Sequence, residues 1–306
     1  MRKVIGIGET TLDIIFRQGQ PTAAVPGGSV FNGIVSLARC GVDVTFIGET
    51  GRDRVGEITR QFMELNGLPT DHMGWMPAGK SPISLAFLNE RNEADYTFYR
   101  DYPRQRLDID LPRVTEDDVV ILGSYYALNP VVREKIVDLL ERARQCDAIV
   151  YYDPNFRSSH KEEAIKLAPT IIENLEYADI VRGSREDFRY MWGLDEADTV
   201  YREKVRFYCP NFLYTAGSEG VKLRTRSLNR NYPVRPIKAV STIGAGDNFN
   251  AGVIMGLLRH DVRRNELYDL DASAWDDIVQ TGMGFAEQAC LTLDNSVPKG
   301  AFSLNN

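Results

Sequence analysis

The sequence predicts an α/β fold in which helices cover both faces of a mostly parallel sheet. Short apolar runs alternate with amphipathic stretches along most of the chain, and Gly, Asp or Pro bounds each apolar run. The 306 residues are 43% hydrophobic, which is enough to bury a full core. We expect one domain spanning residues 1–306, because no linker, repeat or low-complexity tract divides the chain.

The main sheet is predicted from short apolar runs with turn residues at their ends. These runs cover residues 3–7, 44–48, 119–122, 148–152, 179–181 and 212–215. Helical periodicity fills gaps between them at residues 28–40, 55–66, 130–145 and 249–258. Gly41 and Gly67 follow the first two helices, where a glycine is expected as a C-terminal cap.

Two segments break this alternation and predict a separate small β structure. Residues 12–16, and the pair 83–89 and 94–100, carry apolar side chains with period two. A polar turn at residues 90–93 joins the latter two into a hairpin. We expect a β lid, formed by about residues 12–25 and 82–100, that is inserted into the domain. Because exposed strand edges pair readily, a homodimer through this lid is a further expectation.

Charge and composition argue against several classes of protein. The net charge of −7 and the pI near 5.2 disfavour nucleic acid or an anionic membrane as a partner, since either requires a basic face. No run approaches 18 apolar residues, so no membrane span is predicted. The four cysteines lie far apart with no CxxC pair, which favours a reducing cytoplasm, and the three histidines are not spaced as a metal site.

The strongest motif is STIGAGDNFNAG at residues 241–252, where a loop of small residues leads into a helix. Such a loop lets backbone N–H groups converge on a phosphate, and the helix N-terminus adds about half a positive charge. Asp247 at the helix start places a carboxylate beside that phosphate. With an ordinary pKa of about 3.9 it is ionised at neutral pH and accepts a hydroxyl proton. On this motif alone, a purely capping role for Asp247 stays open.

A second motif is PGGSVFNG at residues 26–33, where a glycine pair precedes a helix. Glycines let a ligand approach the backbone closely. Asn32, in the first helical turn, offers both a donor and an acceptor to a sugar hydroxyl. Alone, the pair is also compatible with a plain turn before a helix.

Two further matches are interpreted as coincidences. Residues 74–81, GWMPAGKS, fit the P-loop pattern, but polar residues precede them and Pro82 leads into a predicted strand rather than a helix. Residues 6–8, GIG, lack the third glycine and the helix of a dinucleotide fingerprint. A P-loop nucleotide-binding fold and a nicotinamide dehydrogenase are therefore both disfavoured.

The order and spacing of these motifs resemble the ribokinase/PfkB family of carbohydrate kinases, with bacterial fructokinases closest in appearance. The matching segments are GIGETTLD (6–13), GGSVFN (27–32), LARCG (37–41), FIGETGRDRVG (46–56), DPNFR (153–157), TAGSEG (215–220) and GAGD (244–247). The resemblance spans essentially the whole chain. It implies a three-layer ribokinase-like fold with a mostly parallel central sheet and a small β lid.

The resemblance also implies roles for individual residues. Asp247 matches the catalytic base, and the residues that stabilise the transferring phosphate are Gly244, Ala245, Gly246 and Arg157. The sugar-binding positions are Asp13, Gly27, Gly28, Asn32 and Arg100. The nucleotide side is represented by Thr215, Gly217 and Gly220. Ser184 and Asp187 stand where the family usually has an Asn and a Glu associated with magnesium, and they are shorter substitutes.

The implied activity is transfer of the γ-phosphate of ATP to a hydroxyl of a small sugar, with Mg²⁺ as cofactor. A monovalent cation such as K⁺ is an optional addition, for which no loop is identified. Fructose is the favoured substrate, while 2-keto-3-deoxygluconate, ribose and nucleosides stay open. A phosphorylated sugar is disfavoured because no second basic cluster accompanies the sugar residues. A silent sugar- or nucleotide-binding regulator also stays open, because Ser184 and Asp187 depart from the family.

Overall fold

The computed structural model describes residues 2–90, 92–101 and 107–304, apart from the side chains of Arg100 and Asp101. The strands in this part of the chain are β1 Lys3–Ile7, β2 Thr11–Arg17, β3 Gln20–Gly27, β4 Asp43–Gly51, β5 Met73–Met76, β6 Lys80–Leu88, β7 Ala94–Asp101, β8 Val119–Gly123, β9 Ile149–Asp153, β10 Ile180–Ser184, β11 Asn211–Thr215, β12 Val221–Arg224 and β13 Asn229–Tyr232. The α-helices are α1 Ser29–Arg39, α2 Arg54–Leu65, α3 Arg133–Gln145, α4 Ala164–Tyr177, α5 Arg185–Trp192, α6 Ala197–Val200, α7 Ala245–Arg259 and α8 Ala272–Cys290.

A nine-stranded main sheet has the order β13-β12-β11-β10-β9-β8-β1-β4-β5. All neighbours between β11 and β5 pair in parallel, and β12 and β13 add an antiparallel edge. The predicted α/β class is thus confirmed, and every predicted main-sheet strand is found with shifts only at its ends. The sequence did not predict β5, which is too short to show a periodic pattern.

Helices on both faces of the main sheet bury two apolar cores. Successive strand residues point to opposite faces. Val4 of β1 therefore lies in one core with Phe249 of α7 and Trp275 of α8, while the adjacent Ile5 lies in the other with Leu139 of α3. The result is a three-layer arrangement of helices, sheet and helices.

Turn residues end the first helices where the sequence predicts. Gly41 and Gly67 follow α1 and α2 with φ of 82° and 74°, the left-handed region that glycine adopts without strain. The P-loop-like segment 74–81 falls on β5, a turn and the start of β6, so no helix follows its Lys80. Among the described helices, none combines the length and apolarity that a membrane crossing demands.

Four strands, in the order β3-β2-β6-β7, form a second sheet that we call the small sheet. Strand β2 pairs antiparallel with β3 and parallel with β6, and β6 and β7 form an antiparallel hairpin. These strands occupy the segments where the sequence predicts a lid. Ile15 and Ala86 are fully buried and cluster with Ile243, so the small sheet packs on the loop that precedes α7.

Candidate active site

The start of α7 has the geometry of an anion site. Gly244 caps the helix with a left-handed backbone (φ 72°), and a side chain there would approach the carbonyl oxygen of Asn295 to 2.5 Å. Glycine is therefore required at this position. The helix begins at Ala245, and the amide N–H groups of its first turn lack intrahelical acceptors and carry the positive end of the helix dipole. Gly246 and Asp247 lie in that turn.

The carboxylate of Asp247 is held by α1 rather than by its own helix. Oδ1 accepts a hydrogen bond from the Ser29 hydroxyl (3.0 Å) and Oδ2 accepts one from the Asn32 side-chain amide (2.8 Å). Asp247 is 9% exposed, and this burial raises its pKa to about 6, although the Asn32 bond and the charge of Arg157 oppose the rise. The side chain does not cap α7. It remains ionised at neutral pH and is a stronger base than an exposed aspartate.

Asp13 of β2 is a second buried carboxylate beside the first. Its Oδ1 accepts from the Ser84 hydroxyl of β6 (2.5 Å), and its Oδ2 accepts from the Asn295 amide (2.7 Å). Burial raises the pKa of Asp13 to about 6, against the effect of these two hydrogen bonds. A side chain at Gly27 would approach Asp13 Oδ2 to 2.4 Å, so this glycine makes room for the carboxylate.

Gly28 has φ of 141° and lies so close to Glu9 that a side chain would approach the Glu9 carbonyl oxygen to 2.2 Å.

Two polar oxygens in this region are buried without a partner. Within the described residues, Thr11 Oγ1 and Asn32 Oδ1 are buried and make no hydrogen bond. An unsatisfied buried polar atom costs about 1–3 kcal/mol. These two atoms therefore indicate the place of a polar ligand.

Two cavities meet at Asp247. The smaller, of about 60 Å³, is lined by the predicted sugar residues Asp13, Gly28 and Asn32. The larger, of about 440 Å³, is lined by Ala245, Gly246, Ser184 and Asp187 among others. Asp247, Gly244 and Arg157 line both cavities. The base and the anion site thus lie between two separate binding spaces.

Arg157 is exposed to solvent but borders both cavities, so it is not simply a surface arginine. Its guanidinium lies 5.6 Å from the ring centre of Tyr96 on β7. This contact connects the segment that follows β9 of the main sheet to the small sheet. Tyr96 also lines both cavities and was not predicted from the sequence. Arg100 lies on the same strand, but its side chain is outside the described residues.

Ser184 and Asp187 form a capping box at the start of α5. The Ser184 hydroxyl accepts from the Asp187 N–H (3.2 Å), and Asp187 Oδ2 accepts from the Ser184 N–H (2.6 Å). Burial raises the pKa of Asp187 to about 6. Within the described residues, no cluster of three His, Cys, Asp or Glu side chains surrounds a metal position. Mg²⁺ in phosphoryl-transfer sites is usually bound by one or two carboxylates and the phosphates, which fits Asp187 on the wall of the larger cavity.

The predicted nucleotide residues lie at the end of β11 and in the turn after it. Thr215 Oγ1 accepts a hydrogen bond from Arg182 (2.6 Å). Gly217 and Gly220 have φ of 53° and 102°, as the turn requires. Neither Thr215 nor these glycines lines the larger cavity. Thr215 is nevertheless joined to the wall of that cavity through Arg182, which lines it.

Arg182 lines the larger cavity and was not predicted from the sequence as a site residue. Its buried guanidinium donates to Asp153 (2.8 Å), and a side chain at Gly246 would approach it to 2.9 Å. It therefore joins strand β9 to strand β11 through Asp153 and Thr215, and it packs closely against Gly246. An arginine inside the buried strand β10 was the available signal, because a charged residue in such a run needs partners.

Comparisons with known proteins agree with this geometry. The family model described as pfkB family carbohydrate kinase matches residues 1–292. The fructokinase of Klebsiella pneumoniae is 28% identical over 269 residues, covering 86% of this chain and 87% of that protein. A fructokinase from Vibrio cholerae O395, solved with fructose, ADP and calcium, superposes with a TM-score of 0.83 at 21% identity, over 96% of this chain and 94% of that chain. The aminoimidazole riboside kinase of Salmonella enterica gives 0.79 at 22% identity, over 96% and 95%.

Proposed function

The chain belongs to the pfkB family of carbohydrate kinases, and on that basis we propose that it transfers the γ-phosphate of ATP to a hydroxyl of fructose. The observation that carries this proposal is the position of Asp247, which lines both cavities beside the first turn of α7. A base placed there reaches a sugar on one side and a phosphate on the other. The family membership makes the chain a sugar phosphotransferase, and the choice of fructose rests on further support.

Fructose is supported by the relatives and by the chemistry of the smaller cavity. The Klebsiella and Escherichia coli relatives, 28% and 26% identical, are fructokinases. The cavity is lined by the carboxylates of Glu9, Asp13 and Asp247, which accept hydrogen bonds from hydroxyl groups and repel anions. A neutral sugar rich in hydroxyls fits this lining better than a sugar acid.

In the proposed mechanism the sugar binds between the small sheet and α1. Asp13, Asn32 and Thr11 bond its hydroxyls, which satisfies the buried Thr11 and Asn32 oxygens. Asp247 accepts the proton of the primary hydroxyl as that oxygen attacks the γ-phosphorus in line, while the bond from the γ-phosphorus to the bridging oxygen breaks and ADP leaves. Ser29 and Asn32 keep the carboxylate oriented through the two hydrogen bonds described above.

The transferring phosphoryl group is stabilised by fixed groups around the start of α7. The Gly246 N–H in the first helical turn faces the developing negative charge, and Arg157 supplies a cation. The Ala245 N–H donates to the Thr242 carbonyl (3.3 Å), so Ala245 contributes mainly as a small residue that lets the phosphate approach the helix start. Arg182 packs directly against Gly246. Mg²⁺ would be held by the ATP phosphates and Asp187, and it would neutralise phosphate charge. A role for K⁺ stays a prediction from the family resemblance.

The test is ATP-to-ADP turnover with Mg²⁺ across fructose, 2-keto-3-deoxygluconate, ribose, other hexoses and nucleosides, aminoimidazole riboside included. We expect fructose to give the highest kcat/KM. Asp247→Asn should bind fructose normally but lose roughly 10²–10⁴-fold in kcat, because general-base assistance contributes that much. Wild-type turnover in this variant would contradict the role of Asp247. An absence of turnover with every sugar would favour a silent binder.

Two further proposals concern the setting of the enzyme. A homodimer through the small sheet is supported by its outer face, where Phe16 and Phe87 stack at 4.9 Å and Phe87 and Tyr99 are 40% and 59% exposed. A cytoplasmic location is supported by the ATP requirement and by the four cysteines, all free thiols.

A further inference from the structure

Glu9 and Ser124 form a hydrogen-bonded pair at the wall of the smaller cavity, and the geometry of this pair allows a more specific role for Glu9. Glu9 follows β1 and Ser124 follows β8, and these strands are parallel neighbours, so their carboxyl ends bring the two residues together. Both carboxylate oxygens of Glu9 lie within reach of the Ser124 hydroxyl, at 2.8 and 2.6 Å. Glu9 is 8% exposed.

The carboxylate of Glu9 has unused capacity to accept hydrogen bonds. A hydroxyl has one proton, whereas a carboxylate offers about four acceptor sites. Among the described residues, Ser124 is the one donor to this carboxylate. A buried carboxylate with one donor is poorly satisfied. Because both residues line the cavity beside the unpartnered Thr11 hydroxyl, a ligand in that cavity is the source of the missing donors.

The backbone of Ser124 is strained in a way that orients its hydroxyl. Its φ is 55°, in the left-handed region that non-glycine residues rarely adopt, and Ser124 N–H donates to the Asp153 carbonyl (3.0 Å). The preceding Gly123 lies so close to that carbonyl that a side chain would approach it to 2.2 Å. Strain of this kind concentrates at functional sites. Asn155, with φ of 38°, lines the same cavity.

We propose that Glu9, oriented by Ser124, is a specificity-determining residue that accepts a hydrogen bond from a sugar hydroxyl other than the one phosphorylated. Glu9 lines the smaller cavity but not the larger one. The sugar hydroxyl that bonds to Glu9 therefore lies on the side of the sugar away from the phosphate. Its negative charge also excludes sugars that carry a carboxylate. This inference rests on the proposed sugar kinase function.

The experiment is a double-mutant-type cycle that combines one protein substitution with the removal of single hydroxyl groups from the ligand. Binding of fructose and of its 1-, 3-, 4- and 6-deoxy analogues is measured by calorimetry without nucleotide, for wild type and for Glu9→Gln. We expect Glu9→Gln to weaken fructose binding roughly 10-fold or more, the worth of a hydrogen bond to a charged group. For the one analogue that lacks the hydroxyl facing Glu9, the variant and wild type should bind equally.

A purely structural role for Glu9 gives a different result. An equal loss for fructose and all four analogues, or no loss at all, would overturn the proposal. The ratio of kcat/KM for 2-keto-3-deoxygluconate to that for fructose should rise in Glu9→Gln, and an unchanged ratio would contradict the exclusion of sugar acids. Glu176→Gln, on the exposed face of α4, is the matched control and should match wild type in every measurement.

A second variant covers the case in which Glu9→Gln does not fold. Ser124→Gly suits the left-handed backbone and removes the donor that orients Glu9, so it should fold and lose discrimination among the deoxy analogues. Unchanged discrimination in Ser124→Gly would count against the proposal. If wild type binds ribose or a nucleoside but not fructose, the proposed substrate fails alone, and the cycle is run with deoxy analogues of that ligand. If wild type binds no sugar, both proposals fail.

Discussion

Two buried carboxyl groups, Asp13 and Asp247, share one wall of the sugar cavity, and burial raises the pKa of each to about 6. The charge of Arg157 opposes both shifts. Hydrogen bonds from Ser84 and Asn295 to Asp13, and from Asn32 and Ser29 to Asp247, also lower these pKa values. Since Asp247 must be ionised to accept a proton, its protonation should switch the enzyme off at mildly acidic pH.

We therefore expect kcat/KM for the sugar to fall below about pH 6, rather than near pH 4 as for an exposed aspartate. In Arg157→Gln this fall in kcat/KM, the acid limb of the profile, should move to higher pH, because the guanidinium lowers the pKa of Asp247 and Asp13. A pH–rate profile measures both, with Arg142→Gln on the exposed surface of α3 as control. An acid limb that stays in place in Arg157→Gln would contradict this account.

The same shifts affect folding in a defined direction. The folded-state pKa of each carboxyl lies above its ordinary value of 3.8, so the folded state binds protons more tightly than the unfolded chain. The stability from this difference is fully present below about pH 3.8 and is lost as the pH rises through about 6.

At this scale, motif residues were predictable and their remote partners were not. Asp247, Asn32 and Gly28 lie in local patterns whose chemistry can be read along the chain. Asn295, which bonds Asp13, has no local signal because its partner is 282 positions away. The strain at Ser124 was equally hidden, since nothing in the letters around a serine requires a positive φ.

At the scale of elements, helix starts do most of the positioning. The first turns of α1 and α7 meet through the Asn32–Asp247 bond, and α5 begins at the Ser184–Asp187 capping box. The six central strands of the main sheet and the period-two strands of the small sheet could be predicted from their patterns, whereas the short edge strands β5, β12 and β13 could not. The parallel pairing of β2 with β6 could not, because it joins segments far apart in sequence.

The capping box separates a structural from a metal role. Ser184→Ala removes the acceptor for the Asp187 N–H and should lower the free energy of unfolding by about 1 kcal/mol, without changing the Mg²⁺ concentration for half-maximal rate. Asp187→Asn keeps an acceptor for the Ser184 N–H but loses the charge, so it should raise that Mg²⁺ concentration roughly 10-fold. Denaturant melts and Mg²⁺ titrations measure the two effects. If Asp187→Asn shows the same Mg²⁺ dependence as wild type, Asp187 caps the helix but does not bind the metal.

At the scale of the whole molecule, the small sheet has two faces with different tasks. Its inner face carries Asp13 and Tyr96 towards the cavities, and its outer face exposes Phe87 and Tyr99. An apolar outer face of this kind is what a second copy of the chain would cover.

Sedimentation equilibrium should therefore give about twice the chain mass of 34.5 kDa. Phe87→Asp should shift the protein to the monomer, because it places a charge in the buried interface. Phe207→Asp is the matched control, since Phe207 is also exposed but lies outside the small sheet. A wild type that sediments at 34.5 kDa would rule out the homodimer.

The hydrogen bond between Asp13 and Asn295 has a consequence for the time during synthesis at which the site can form. The sugar pocket joins an early strand to a segment near residue 295, which also lies against Gly244. Ribosomes add about 5–20 residues per second, so roughly 15 to 60 s pass before both ends exist. Until then the nascent chain has the residues of β2 and α1 but neither a finished sugar pocket nor a finished phosphate site, since Gly244 at the start of α7 also packs on Asn295. Activity is therefore expected only after residue 295 has been synthesised and has packed against Asp13 and Gly244.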